Sequence, residues 1–310
     1  MRITHGFHPL KQPHAVTIGN FDGLHVGHQA MLTRLQHVAR ERALPTCVLS
    51  FEPHPREFFS PENAPTRLSS LREKAGWLDQ TGIDRLHVFR FNRAFSALAA
   101  SEFIQRILVD TLHARYVLVG DDFRYGAQRA GDFTLLVEQG RSAGFDAEAL
   151  STVQIDGERA SSTAVRTALA AGDLAHAAQL LGRPYSICGR VMHGDKLGRE
   201  LGYPTANVQI QHNRPPLSGI FAVTASNING RDLPGVASLG VRPTIKTTTA
   251  APVLEVHLFD FDTQLYGRRI RVNFLHKLRD EAKFPDLPSL IAQIGRDVDE
   301  AKQFLMQTHG

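Results

Sequence analysis

Two stretches of this chain combine closely spaced glycines with side chains that can act on phosphate, one in each half. The first, Gly19-Asn20-Phe21-Asp22-Gly23-Leu24-His25-Val26-Gly27-His28, follows an apolar run and opens an amphipathic one. Glycines let the backbone approach an anion, and the free N–H groups of a helix N-terminus attract it. His25 and His28 are three residues apart, a spacing that projects both rings from one helix entrance. Imidazoles there can donate to an α-phosphate as negative charge builds on it. The segment also reads as a helix cap with incidental histidines or, given further ligands, as part of a zinc site.

The second stretch has glycines at 194, 198 and 202, followed by Tyr203-Pro204-Thr205-Ala206-Asn207. The glycines permit a loop to close over a nucleotide. The Thr205 hydroxyl and the Asn207 carbonyl are hard oxygen donors, suited to a Mg2+ that keeps waters and bridges phosphates. Alone, the run reads equally as a Gly/Pro turn that Asn207 stabilises. Two further groups carry chemistry. Ser161-Ser162-Thr163-Ala164-Val165-Arg166 offers hydroxyls and a guanidinium fork to phosphate oxygens, or simply an N-cap before an Ala-rich helix. Glu255 is an acid on an otherwise apolar strand, either a proton acceptor or a charge facing water.

The elements that must position these groups follow two rhythms. Strand patterns at His14–Gly19, Thr46–Phe51, Leu86–Phe91 and Tyr116–Gly120 alternate with helical ones. One helix carries Ala30, Leu32, Leu35, Val38 and Ala39 as its stripe; the others run Ser70–Thr81 and Ser101–Leu112. This predicts an α/β domain with a mostly parallel sheet, whose ligands sit at the carboxyl ends of the strands. After Gly182-Arg183-Pro184 the rhythm changes. Short β-rich runs at Ser186–Val191, Ile220–Ser226, Val236–Leu239, Leu254–Phe259 and Ile270–Leu275 predict a small antiparallel sheet or barrel, closed by an amphipathic helix over about Ser289–Leu305. The expected domains are therefore 1–184 and 185–310.

Composition narrows the classes. The chain has 310 residues, enough for two cores, and a net charge of +4. Lys+Arg number 20 against 19 Asp+Glu in residues 1–184, and 15 against 12 in 185–310. A sequence pI near 9.2 keeps nucleic acid among the candidates, but such a scattered excess is weak evidence for it. Residues 185–310 carry no evident basic or aromatic stripe. Cys47 and Cys188 are the only cysteines and form no CxxC. No run is long and apolar enough to span a membrane. The expectation is a reduced, soluble, cytoplasmic protein, a monomer or weak oligomer whose partners are small molecules such as nucleotides rather than nucleic acid or membrane.

His25-Val26-Gly27-His28 resembles the HxGH motif of nucleotidyltransferases, and Gly19–His28 is similar to the FMN adenylyltransferase module of bacterial bifunctional riboflavin kinase/FAD synthetases. Phe51-Glu52-Pro53-His54-Pro55, Val119 to Gly126, and Ser161–Arg166 (an SSTxxR element) match the same module. In the second half Pro204–Asn207 resembles the PTAN motif of riboflavin kinases. Gly235–Thr244, Leu254–Phe261, Leu265-Tyr266-Gly267 and Phe274–Glu281 are similar to other elements of that domain.

The resemblance implies a Rossmann-like nucleotidyltransferase domain followed by a β-barrel kinase domain, using ATP and Mg2+ to turn riboflavin into FMN and then FAD. It implies that His25, His28 and Arg166 serve adenylylation and that Glu255 is the kinase base. ATP would be held by Gly19, Asn20, Phe21, Gly23, Ser161, Ser162 and Thr163 in one half, and by Gly194, Gly198, Thr205 and Asn207 in the other. Thr205 and Asn207 would also hold Mg2+. Pro53, His54, Pro55, Asp122, Phe123 and Arg279 would lie toward flavin; family members carry Asn or Asp at the place of Asp122. HxGH also resembles the HIGH element of class I aminoacyl-tRNA synthetases, but no KMSKS-like loop accompanies it. A third alternative keeps the flavin family and makes one half a non-catalytic module.

Overall fold

The computed structural model describes residues 1–194, 198, 201–211, 214–228, 230–242 and 251–309. Arg199, Glu200, Pro243 and Thr244, which belong to the motifs above, lie outside the described residues. The chain divides into two compact units, residues 1–65 with 71–161, and residues 66–70 with 162–310.

The first unit is built on six strands: β1 (Arg2–His5), β2 (His14–Ile18), β3 (Thr46–Glu52), β4 (Arg85–Arg90), β5 (Ala114–Gly120) and β6 (Asp146–Leu150). Their order is β1-β4-β3-β2-β5-β6, and every neighbouring pair is parallel. Both faces of a parallel sheet are covered, so its inner strands are apolar throughout; all five residues of β2 are buried. One face carries Ala15, Val48 and Leu86 beneath Leu32 and Leu35 of helix Val26–Glu41 and Ala75 and Leu78 of helix Leu71–Gln80. The other carries Val16, Ile18, Leu49 and Val117 against Ile104, Ile107 and Leu108. The chain moves outward from β2 through β3 to β4, then returns to the other side of β2 for β5. That reversal between β2 and β5 is the switch point where open α/β sheets bind ligands.

Several elements alter or extend the sequence reading. The stretch expected as one helix over Ser101–Leu112 is a short helix, Ala100–Phe103, running into π-helical turns over Ile104–Thr111. Strands β1 and β6 and helix Phe133–Ala143 are additional, as is a small antiparallel pair, β7 (Gln154–Ile155) with β8 (Glu158–Arg159).

The second unit holds helices Ser162–Ala171 and Leu174–Leu181 and a closed barrel. Its strands are β9 (Tyr185–Met192), β10 (Ala206–Gln209), β11 (Gly219–Ile228), β12 (Arg231–Arg242), β13 (Ala251–Leu258) and β14 (Arg269–Arg279). They run β10-β13-β12-β11-β14-β9 around the barrel, all antiparallel. Inward residues alternate with outward ones. Ile187, Val208, Phe221, Val223, Leu254, Val256, Val272 and Phe274 are buried in this unit. The C-terminal helix Leu287–His309 packs Val298, Ala301 and Leu305 onto Ala222, Val236 and Phe259. The pattern change at Pro184 marks where helices give way to barrel strands, whereas by packing the two helices over 162–181 group with the barrel.

Candidate functional site

The loop leaving β2 is held in a shape that few sequences tolerate. Phe21 (φ 48°), Gly23 (φ 79°) and Leu24 (φ 46°) all take left-handed backbone, which is costly for the two non-glycine residues unless their surroundings fix it. The Phe21 ring, fully buried, provides that fixing. A Cβ on Gly19 would lie 3.1 Å from this ring. His25 then stands at the N-cap of helix Val26–Glu41, makes no side-chain cap bond, and no acidic residue occupies the first turn. The first-turn N–H groups have no intrahelical acceptor, and the first turn itself supplies no acid to the positive end of the helix.

His28 continues the buried stripe of that helix four residues before Leu32, so its ring turns inward. It stacks on His25 with centroids 3.7 Å apart and planes at 26°, and leans on Phe21 at 4.9 Å. Gly27 makes room for the pair: a Cβ there would stand 3.1 Å from His25 Nδ1 and 3.2 Å from the Ala160 carbonyl. Burial, then the charges of His25 and Lys74, hold the His28 imidazole well below its ordinary pKa. His28 Nδ1 and Asn20 Oδ1 are buried with no hydrogen-bond partner among the described residues. Both rings line an open cleft of about 230 Å³ at the carboxyl ends of β2, β5 and β6, together with Gly19, Phe21, Asp122, Phe123 and Ser161.

The acidic loop after β5 is braced from the far side of this cleft. Asp122 pairs with Arg159 at 2.7 Å. Asp121 accepts from the Thr152 hydroxyl (2.9 Å) and backbone N–H (3.1 Å), and the hydroxyl bond lowers its pKa. Phe123 stacks on Tyr125 at 5.5 Å. After β3, Pro53, His54 and Pro55 lead into helix Pro55–Phe59, where His54 Nδ1 accepts from the Arg56 N–H and Glu57 accepts from the His54 N–H. His54 therefore spends one ring nitrogen on a capping box. Just beyond, Phe58, Phe59 and Phe91 meet edge to face at 5.3–5.6 Å, and Phe59 is 67% exposed. Ser162, Thr163 and Arg166 fall on helix Ser162–Ala171 of the second unit, directly after Ser161 in the chain; Arg166 Nε donates to the Thr66 carbonyl at 2.5 Å.

In the barrel, strand pairing assembles what the sequence keeps far apart. Asn207 on β10 stands directly opposite Glu255 on β13, which in turn stands opposite Ser238 on β12. Leu254 and Val256 are buried on either side of Glu255, so this row lies on the outward face. The row continues through Ile220 on β11 to Arg279 on β14. Directly opposed residues are within side-chain reach. A Cβ on Gly194 would collide with the Asn207 amide, and one on Gly198 would lie 3.2 Å from Thr205 Oγ1. The two glycines thus form a cradle against the two oxygen donors, which fits a cation held chiefly by phosphates and water. Arg279 is committed elsewhere: it forks onto Asp297 of the C-terminal helix at 2.8 and 2.6 Å, with Gln293 also donating to Asp297.

Lys74, Thr152, Arg159, Phe59 and Ser238 were not singled out in sequence. Ser238 has a signal, a polar residue within an apolar strand; its tie to Glu255 emerges only from the register. Among the described residues no group of three or more His, Cys, Asp or Glu is placed to hold a metal ion, and no helix is long and apolar enough to cross a membrane.

Comparison with known proteins finds a different family match in each half of the chain. Residues 8–164 match the family described as FAD synthetase, and residues 181–305 the family described as riboflavin kinase. A protein of Pseudomonas fluorescens, named bifunctional riboflavin kinase/FMN adenylyltransferase, is 50% identical over 305 residues, covering 97% of each chain. One of the same name from Escherichia coli is 47% identical over 308 residues, covering 98% of each. A crystal structure titled macrolide-efflux protein, from Streptococcus pneumoniae, shares the architecture with a TM-score of 0.80 at 26% identity, over 95% of this chain and 97% of that one. By near full-length identity and by both family matches, the chain belongs to the bifunctional riboflavin kinase/FMN adenylyltransferase family.

Proposed function

We propose that residues 185–310 transfer the γ-phosphoryl group of ATP to riboflavin, and that residues 1–184 then join AMP from a second ATP to the resulting FMN, releasing pyrophosphate. The observation that carries this is the opposition of Asn207 and Glu255 on neighbouring barrel strands, an oxygen donor beside a carboxylate. In phosphorylation, Glu255 takes the proton of the ribityl 5′-hydroxyl as its oxygen attacks the γ-phosphorus and ADP departs. Thr205 and Asn207 would hold Mg2+, which when bound neutralises developing charge on the phosphates. Gly194 and Gly198 keep side chains out of that space.

In adenylylation, a phosphate oxygen of FMN attacks the α-phosphorus of ATP. His25, His28 and the first-turn N–H groups offer donors to the oxygens on which charge grows. With its pKa lowered, His28 is neutral at pH 7 and contributes a single ring N–H. Asp122 and Phe123 border the same cleft on the side assigned to flavin. Ser162, Thr163 and Arg166 are assigned to the polyphosphate through their SSTxxR match.

Incubating the purified chain with riboflavin, ATP and Mg2+ and separating the flavins over time tests this. FMN should rise and then give way to FAD. FMN that accumulates without FAD would refute adenylylation, and no conversion of riboflavin or of added FMN would refute both steps.

A further inference from the structure

Lys74 lies where a lysine is expensive to place. It sits four residues before Leu78 on the inward stripe of helix Leu71–Gln80, is 6% exposed, and has Ala75 as its buried neighbour. An ammonium withdrawn from water needs polar partners. Lys74 Nζ donates to Ser50 Oγ at 3.2 Å, and Ser50 Oγ donates to the Asn20 carbonyl at 3.4 Å. Ser50 is fully buried two residues after Val48, hence on the sheet face that both helices cover. The contacts run from the second helix, through the end of β3, to the turn whose other end carries the stacked histidines.

We propose that Lys74 is a positioning residue for FMN adenylylation: through Ser50 it fixes Asn20 and the glycine turn, and it sets a positive charge near the His25–His28 pair. This rests on assigning adenylylation to this cleft. Burial is the main cause that holds the His28 ring toward its neutral form, with His25 and Lys74 adding to it, so the lysine also disfavours protonation of that ring before polyphosphate arrives. A lysine serving only to complete the fold would leave the ring's titration and the kinetic constants of the folded protein unchanged.

The test uses the full chain with Lys74→Met and, separately, Ser50→Ala. FMN adenylylation is measured with ATP, the His28 ring is titrated by NMR, and riboflavin phosphorylation serves as the internal control. Lys74→Met should lower adenylylation roughly 10- to 100-fold, chiefly in kcat, raise the pH at which His28 titrates, and leave phosphorylation intact. Ser50→Ala keeps the charge and removes the relay, so adenylylation should fall with the His28 titration in place. Folded Lys74→Met with adenylylation within twofold of the parent, or with an unmoved His28 titration, overturns the proposal. Should Lys74→Met not fold, parental adenylylation in Ser50→Ala overturns it. Absence of adenylylation in the parent chain itself would instead refute the assignment of the cleft.

Discussion

In the proposed phosphorylation, position 194 matters because it carries no side chain. A methyl group there would occupy the space of the Asn207 amide, and Asn207 must then turn from the row it shares with Glu255. Gly194→Ala should leave the barrel folded, because the obstructed group is the end of a side chain. It should raise KM for MgATP in riboflavin phosphorylation by about tenfold, the equivalent of one positioned polar contact. Steady-state assays of both half-reactions check this; an unchanged KM would remove the glycine from the site. At this scale the sequence was legible where chemistry is local. The spacing of His25, Gly27 and His28 predicts two rings projecting at one helix entrance, and the structure stacks them there. Lys74 and Ser238 do not, since their partners, Ser50 and Glu255, meet them only through the packing of other elements. Arg279 and His54 are legible as polar groups, yet their bonds to Asp297 and Arg56 depend on neighbours that no motif specifies.

Among the elements, β2, β3, β5 and the helix carrying His28 were legible because apolar runs and a 3.6-residue stripe leave little choice. Strand β1 was not: Arg2-Ile3-Thr4-His5 is short and mostly exposed at the sheet edge, and its place comes from pairing with β4, reinforced by side-chain ties. His87 Nδ1 accepts from the Thr4 hydroxyl (2.8 Å), and its Nε2 donates to the Gly6 carbonyl (2.7 Å). Strand β10 lies within the PTAN segment, whose Pro and Gly flanks look like a turn. The His87 ties make the edge sensitive to acid. Burial, outweighing the Gly6 bond and aided by Arg85, His5 and His14, lowers the His87 pKa to about 4, and His14 is lowered too. The unfolded chain, with histidines near 6.5, then binds more protons than the native one between those values. Stability from His87 is therefore complete above pH 6.5 and is lost as pH falls toward 4. Urea midpoints at pH 7.5, 6.0 and 4.5 should drop more steeply for the parent than for His87→Gln; parallel curves would contradict a neutral buried His87.

For the whole molecule, the chain divides into two compact units. The proposed adenylylation set is drawn from both, since Ser162, Thr163 and Arg166 fall in the unit that holds the barrel, while the proposed phosphorylation set lies in the barrel unit alone. The HIGH-like motif alone fits a synthetase. The PTAN segment and Glu255, paired on neighbouring barrel strands, and the family matches over both halves give it a flavin context instead. What no sequence pattern supplied is the grouping of helices over 162–181 with the barrel, because their apolar faces do not name the surface they cover. The central claim is that the two halves perform separate steps. Its most direct measurement is each half-reaction, with its own flavin substrate, in Glu255→Gln and in His28→Ala. Glu255→Gln should slow riboflavin phosphorylation by about 10²–10⁴-fold while FMN adenylylation continues at the parental rate. His28→Ala should slow adenylylation by about 10²-fold or more and spare phosphorylation. If Glu255→Gln instead abolished adenylylation alone, or if either substitution removed both activities from a folded protein, the account of two independent sites would be contradicted.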